Sequence, residues 1–194
     1  MTPPFAFGPV TLKRVTKVSD IGAPLWCRWL NRREVAQYTG SGGRWTPARL
    51  ALWFSARIGP ARDAQHRHTR FYAILLGKTP VGTLKLEQVG RGGCANIGLM
   101  IGEPRAWASG AATLALRAAC QEAKNAGCAA VWAGIVMDNR GSRRAFEEAD
   151  FKEIAVQSGV DVLFLTKDDV PAEVCRRVYA WAPTPPKIAV MRRV

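Results

Sequence analysis

Ala95-Asn96-Ile97-Gly98-Leu99-Met100-Ile101-Gly102, followed by Trp107-Ala108-Ser109-Gly110-Ala111-Ala112-Thr113, decides how this chain is read. An apolar run of strand character ends and hands over to a helix start made of very small residues. Small side chains let backbone N–H groups come close to a ligand, and a helix N-terminus adds a partial positive charge. The ligand that suits such a turn is an anion, a phosphate above all. Further on, Asp138-Asn139-Arg140-Gly141-Ser142-Arg143-Arg144-Ala145-Phe146 runs into Ala149-Asp150-Phe151 and reads as a second helix start.

Periodicity places the other elements around these two. Val10 to Val15 is a short strand, and Pro24 to Leu30 a helix with Leu25, Trp26, Trp29 and Leu30 on one side. Thr46-Pro47 opens a helix, with Thr46 as cap and Leu50, Trp53 and Phe54 at helical spacing. Pro60 closes it, and Ala61 to Thr69 is a polar loop. Arg70–Leu76, Val81–Val89 and Cys94–Gly102 read as an antiparallel meander joined by turns at Gly77–Pro80 and Arg91-Gly92-Gly93. Ser109 is expected to cap a helix that stops at Gly127. Ala129 to Met137 is so continuously apolar that burial on both faces is expected. Gly141–Glu148 is a short helix, and Phe151–Val156 and Val160–Thr166 are the last strands. Ala172 to Tyr179 reads as a helix ahead of Pro183-Thr184-Pro185-Pro186 and the basic Met191-Arg192-Arg193-Val194. The expected layout is one domain over 1–168 and a basic, proline-containing appendage over 169–194.

The 194 residues, 48% hydrophobic and 22% charged, suit one substantial core. No apolar run approaches the roughly 18 residues that cross a bilayer. Met1 to Val10 does not read as a signal peptide. Five cysteines without a C-x-x-C pair suggest neither a disulfide framework nor a zinc site, and a reducing cytoplasm fits best. His66 and His68 sit among arginines with no carboxylate or thiol cluster, so no metal is expected. The net charge is +13, and residues 1–70 carry 12 Lys/Arg against 3 Asp/Glu. Such an excess favours a nucleotide, a phosphorylated substrate or RNA; an arginine-rich solvated surface accounts for it equally well.

The two helix starts in this order resemble the acyl-CoA N-acyltransferase superfamily, the GNAT fold. Trp107 to Leu116 looks like its pyrophosphate loop, R/Q-x-x-G-x-G/A, with Gly110 and Ala112 at the last two fixed positions. Trp107 stands at the R/Q position, as in the branch holding ribosomal-protein N-terminal and amino-sugar acetyltransferases. Ala108 replaces a frequent glycine and Leu114 a frequent glutamate. Asn139-x-x-Ser142, Phe146 and Asp150-Phe151 are similar to the family's N-x-x-S/A…Y/F…G-F. Phe146 stands where many relatives have a tyrosine general acid, and Asp150 replaces the usual glycine. Trp29-Leu30-Asn31-Arg32-Arg33-Glu34-Val35 through Tyr38, Phe71-Tyr72-Ala73-Ile74 and Pro80-Val81-Gly82 look like the same branch. The resemblance covers roughly residues 10–168.

What the resemblance implies is an α/β (α+β) GNAT fold: a mixed, mostly antiparallel central sheet, splayed at the CoA site, with helices on both faces. Its chemistry is direct attack of a primary amine on the thioester of acetyl-CoA, the co-substrate. Met100, Ile101, Trp107, Ala108, Ser109, Gly110, Ala111, Ala112 and Asn139 would hold the CoA. Asn139, Ser142 and Glu103 are the catalytic candidates, with Glu87 a second carboxylate nearby and Asn96 where several relatives carry theirs. Ser142 serves equally as a mere helix cap. Tyr38, Arg44 and Trp45 would shape the acceptor pocket, with Arg32, Arg33 and Arg49 beside it. The acceptor is expected to be anionic, a nucleotide-linked amino sugar or a protein N-terminus. A ribosomal or RNA contact and a homodimer are further partners this reading keeps open; a membrane is not among them. The alternative is a weak or inactive module of this fold that binds CoA or RNA without turnover.

Overall fold

Arg70-Phe71-Tyr72-Ala73-Ile74-Leu75-Leu76 shows how the sheet is made. Successive side chains of a strand point to opposite faces. Phe71 and Ala73 enter an aromatic cluster on one side, while Tyr72 and Ile74 enter an aliphatic core on the other. The computed structural model describes residues 5–39, 43–58, 68–90, 94–136, 138–157 and 176–181. The strands are β1 (Phe5–Phe7), β2 (Val10–Arg14), β3 (Arg70–Leu76), β4 (Thr79–Glu87), β5 (Cys94–Ile101), β6 (Ala130–Val136), β7 (Lys152–Gln157) and β8 (Arg176–Trp181). They form one sheet in the order β1-β2-β3-β4-β5-β6-β8-β7. Every pairing is antiparallel except β5 with β6, which is parallel. The sheet is therefore mixed and mostly antiparallel, with helices on both faces, as the resemblance implied.

The helices α1 (Ala23–Leu30), α2 (Arg33–Thr39) and α3 (Pro47–Arg57) precede β3, while α4 (Ala111–Asn125) and α5 (Arg140–Glu148) flank β6. Trp26, Trp29, Leu50 and Phe54 from α1 and α3 close over Phe71 and Ala73. On the other face, α4 presents Ala111, Ala115, Ala118, Ala119 and Ala123, whose small side chains let it lie close to Leu84, Leu86 and Ile97. One polar network crosses this second core. Glu122 of α4, 6% exposed, accepts from Arg70 Nη1 at 2.6 Å and from the Tyr72 hydroxyl at 2.8 Å.

Three expectations are corrected. Residues 176–179, read as part of a helix, lie in β8, between β6 and β7. The sheet therefore takes in a segment from beyond residue 168, because a strand inserted between two others is fixed by pairing across the fold and not by local pattern. Val160–Thr166, expected as a strand, lies outside the described residues. β6 is not buried on both faces: Val131, Ala133 and Ile135 are buried, while Gly134 is exposed. The cap position of α4 is Gly110, in left-handed conformation with φ 79°, and not Ser109, whose hydroxyl accepts the Ala111 N–H at 3.4 Å from one residue further back.

Candidate active site

The parallel pairing of β5 with β6 is short. It runs through Cys94↔Ala130, Ala95↔Val131 and Asn96↔Trp132 and then ends. Beyond it β5 stays with β4 as far as Ile101↔Gly82, while β6 goes with β8. The two strands part, and the gap opens into a cleft of about 1410 Å³ between the helix starts of α4 and α5 on one side and α1–α3 on the other.

One peptide beside this gap is turned so that its N–H faces away from β4. A Cβ on residue 82 would collide with the Met100 carbonyl oxygen, so glycine at 82 is what lets that carbonyl lean over β4. The peptide is trans, so the Ile101 N–H points the opposite way, off β4 and into the gap. The Ile101 carbonyl accepts from Trp107 Nε1 at 2.9 Å. Met100 and Ile101 both line the cleft.

The start of α4 forms the next part of the wall. Ala108 (φ 56°) and Gly110 are both left-handed, two residues apart. The Ser109 hydroxyl donates to the Ala106 carbonyl at 2.8 Å and holds the turn. The first helical hydrogen bond of α4 runs from Leu114 N–H to Gly110 C=O, so earlier N–H groups have no partner within the helix. No acidic residue stands in this first turn to offset its partial positive charge. Trp107, Ala108, Ser109, Gly110 and Ala112 line the cleft. Ala111 does not; its side chain is 1% exposed in the aliphatic core.

At the start of α5, Asn139 Oδ1 accepts from the Ser142 N–H at 3.1 Å and caps the helix. The Asn139 amide nitrogen and the Ser142 hydroxyl make no hydrogen bond among the described residues, and both residues line the cleft. Phe146 is 2% exposed and packs edge-on to Phe151, with centroids 4.8 Å apart. At the lip, Glu148 takes hydrogen bonds from Arg144 Nε at 2.7 Å and Thr113 Oγ1 at 3.1 Å. The Arg144 bond first, and then the Thr113 bond, hold the Glu148 carboxyl below its usual range.

The opposite wall is aromatic. Asn31, just past α1, fixes it: Asn31 Nδ2 donates to the Trp45 carbonyl at 2.8 Å, and the Trp45 N–H donates to Asn31 Oδ1 at 2.7 Å. Tyr38 and Trp45 line the cleft, but Arg44 does not; it supplies a carbonyl to Arg49 Nη1 at 3.3 Å. Arg49 takes its place, stacked on Trp45, and Arg57 stacks on Trp53. Arg57, and Thr83 and Lys85 on the cleft floor, were not singled out by sequence reasoning. The repeated spacing Trp45-x-x-x-Arg49 and Trp53-x-x-x-Arg57 was the available signal.

Glu103 is off the cleft. The chain turns back after β5, with the Glu103 N–H on the Val81 carbonyl, and its carboxylate meets Arg28 at 3.7 Å and Arg105 at 4.0 Å. Glu87 also lies off it, with one oxygen 3.0 Å from Lys85 Nζ and the other buried without a partner among the described residues. Asn96 is held in the paired part of β5. Among the described residues no group of histidines, cysteines and carboxylates is arranged to hold a metal, and no helix is long and apolar enough to cross a membrane.

No curated protein matches the chain. Solved structures do share its fold. RimJ of Mycobacterium smegmatis, solved with CoA-disulfide, is 20% identical, with 93% of this chain and 86% of that one covered at a TM-score of 0.73. The microcin C7 self-immunity acetyltransferase MccE, solved with acetyl-CoA and AMP, is 14% identical over 90% of this chain and 93% of that one, at 0.70. The ribosomal-protein-S5-alanine acetyltransferase of Vibrio fischeri is 14% identical over 93% and 96%, at 0.67. The family model of the acetyltransferase (GNAT) domain matches residues 10–152. That span takes in the β5–β6 gap and both helix starts, and the chain belongs to this family.

Proposed function

We propose that the protein transfers the acetyl group of acetyl-CoA to a primary amine carried on an anionic acceptor, a nucleotide-linked amino sugar or a protein N-terminus. The observation that carries this is the Ile101 N–H turned into the β5–β6 gap beside the start of α4, whose own first turn holds no acidic residue. The residues present fit CoA: backbone donors and small side chains at Ser109–Ala112 suit a pyrophosphate, and the gap between β5 and β6 suits an extended amide-bearing arm. A bound thioester supplies the acyl carbon that the amine attacks. The Ile101 N–H is the donor for its carbonyl oxygen, where negative charge develops. The Asn139 amide nitrogen bonds the arm while its oxygen keeps α5 capped. Glu34 and Tyr38, one turn apart on α2, put a carboxylate and a phenol on the acceptor wall. Glu34 is the carboxylate that wall offers for the amine's proton. Ser142, with its hydroxyl at the cleft, is the donor available to the departing thiolate.

A second reading, a module that binds CoA or RNA without turnover, is favoured by one observation: the ring at Phe146 is buried against Phe151 and has no proton to give. Thiol release from acetyl-CoA against a panel of amines separates the two. Expected is turnover with amines on phosphate- or carboxylate-bearing scaffolds, at a rate that falls as salt screens the basic wall. CoA binding with no turnover of any amine supports the module. Salt-independent preference for a polyamine or aminoglycoside rejects the anionic acceptor.

A further inference from the structure

Of all the charged groups in the cleft, two arginines are placed with unusual care. The Arg49 guanidinium lies 4.5 Å from the Trp45 ring centroid, and that of Arg57 lies 5.2 Å from the Trp53 centroid. The two indoles meet edge to face, 6.2 Å apart at 87°. Neither ring is free to drift. Trp45 is pinned through its backbone by Asn31, and Trp53 packs against Trp26 and Phe71, each 6.0 Å away. Among the described residues neither arginine is paired with a carboxylate. Arg49 spends one N–H on the Arg44 carbonyl and keeps the rest. The carboxylate on this wall is Glu34, and it makes no ion pair among the described residues.

We propose that the Trp45–Arg49 and Trp53–Arg57 stacks are a phosphate-reading site, and that the acceptor is a nucleoside phosphate bearing the amine. This rests on the reading that the aromatic wall receives the acceptor, and it names the acceptor's chemical class. A guanidinium laid on an indole keeps its in-plane N–H fork for an anion and its outer face for a second planar ring. The two forks stand eight residues apart on α3, about 12 Å along its axis, so they suit an extended anion whose phosphate meets one of them better than a lone small carboxylate. The outer faces suit a base. The rings hold the arginines in place before the ligand arrives, so less rotamer freedom is lost on binding. Glu34, unpaired, is left to meet the cationic end of the same molecule.

The test titrates uridine 5′-monophosphate and uridine into protein saturated with CoA, by calorimetry and by tryptophan fluorescence. The pyrimidine probe avoids competition with the adenosine end of CoA. Expected is binding of the monophosphate with quenching of tryptophan emission, and at least tenfold weaker binding of uridine. In the double variant Arg49→Gln/Arg57→Gln, monophosphate affinity falls at least tenfold while CoA affinity and melting temperature are kept. Equal affinity for uridine, absence of monophosphate binding to the wild type, or an unchanged double variant overturns the site. If the double variant does not fold, salt dependence of the wild-type titration decides: affinity that falls with ionic strength supports the site, and salt-independent affinity overturns it. Failure of acetyl transfer would show separately, as CoA binding without thiol release, since the monophosphate titration needs no turnover.

Discussion

Along β5 and the start of α4, the groups that line the cleft belong to the backbone: the Ile101 N–H, the left-handed residues Ala108 and Gly110, and the first turn of α4, with the Asn139 and Ser142 side chains beside them at the start of α5. On the opposite wall they are side chains: Trp45, Trp53, Tyr38, Arg49 and Arg57. The difference is one of what can be varied. A backbone wall needs small residues at fixed places and recognises a ligand feature that does not change. A side-chain wall can be rewritten one residue at a time, and so is where discrimination between acceptors belongs. If that division is right, substitutions should disable one wall and spare the other.

The largest effect is expected from Gly110→Glu. No atom lies within 4 Å of a Cβ placed there, so the variant has room to fold, although φ 79° strains any side chain. A carboxylate at the helix start opposes a pyrophosphate with about 2–3 kcal/mol at an effective dielectric near 20, or roughly 30- to 150-fold in affinity. Calorimetry should show that loss for CoA. Unchanged CoA affinity in a folded variant would place the pyrophosphate elsewhere.

The same division explains what could be read in advance. The small-residue helix start, the meander of β3, β4 and β5, and the Thr46 cap, whose hydroxyl accepts the Arg49 N–H at 3.2 Å, are local features with local signals. Trp45 and Tyr38 came from resemblance, and both line the cleft. Arg44 and Glu103 lie off the cleft, while Arg49 and Ile101 close by line it. Which of two nearby residues turns inward depends on how a loop or strand end is tied down, and Asn31 and Val81 do that from elsewhere in the chain. β8 is less legible still, since its place between β6 and β7 is decided by pairing over long sequence separations.

Behind the backbone wall, Glu122→Gln should cost about 2 kcal/mol of stability, less than a fully buried pair because Arg70 is one-third exposed. The same network carries a pH signature. Burial, and then the Glu122 hydrogen bond, push the Tyr72 phenol up to about 12. Above its ordinary value near 10 the unfolded chain releases this proton while the native protein keeps it. Stability contributed by Tyr72 is therefore present below about 10 and lost as pH rises towards 12. Denaturation midpoints across that window should fall more steeply in the wild type than in Tyr72→Phe. Parallel curves would mean that Tyr72 ionises as readily in the native state as in the unfolded chain.

On the side-chain wall, Asn31→Ala removes both hydrogen bonds that hold the Trp45 backbone, about 1–2 kcal/mol in all. The acceptor KM should rise while CoA affinity stays the same. A matching loss of CoA affinity would show that the two walls are one unit, and the contrast drawn between them would fall.

The smallest effect is expected at Ala108, and its sign is the informative part. With φ 56° its backbone is left-handed, a region that costs an L-residue about 1–2 kcal/mol and costs glycine almost nothing. Ala108→Gly relieves that strain but also frees the unfolded chain, which returns roughly 0.4–1 kcal/mol of the gain. The balance is a modest stabilisation of about 0.5 kcal/mol, read as a small rise in denaturation midpoint with CoA affinity unchanged or slightly improved. Ala108 is exposed, so loss of its methyl group removes little packing. A clear loss of CoA affinity in Ala108→Gly would mean that this methyl group touches the ligand, and that the wall assigned to the backbone discriminates through a side chain after all.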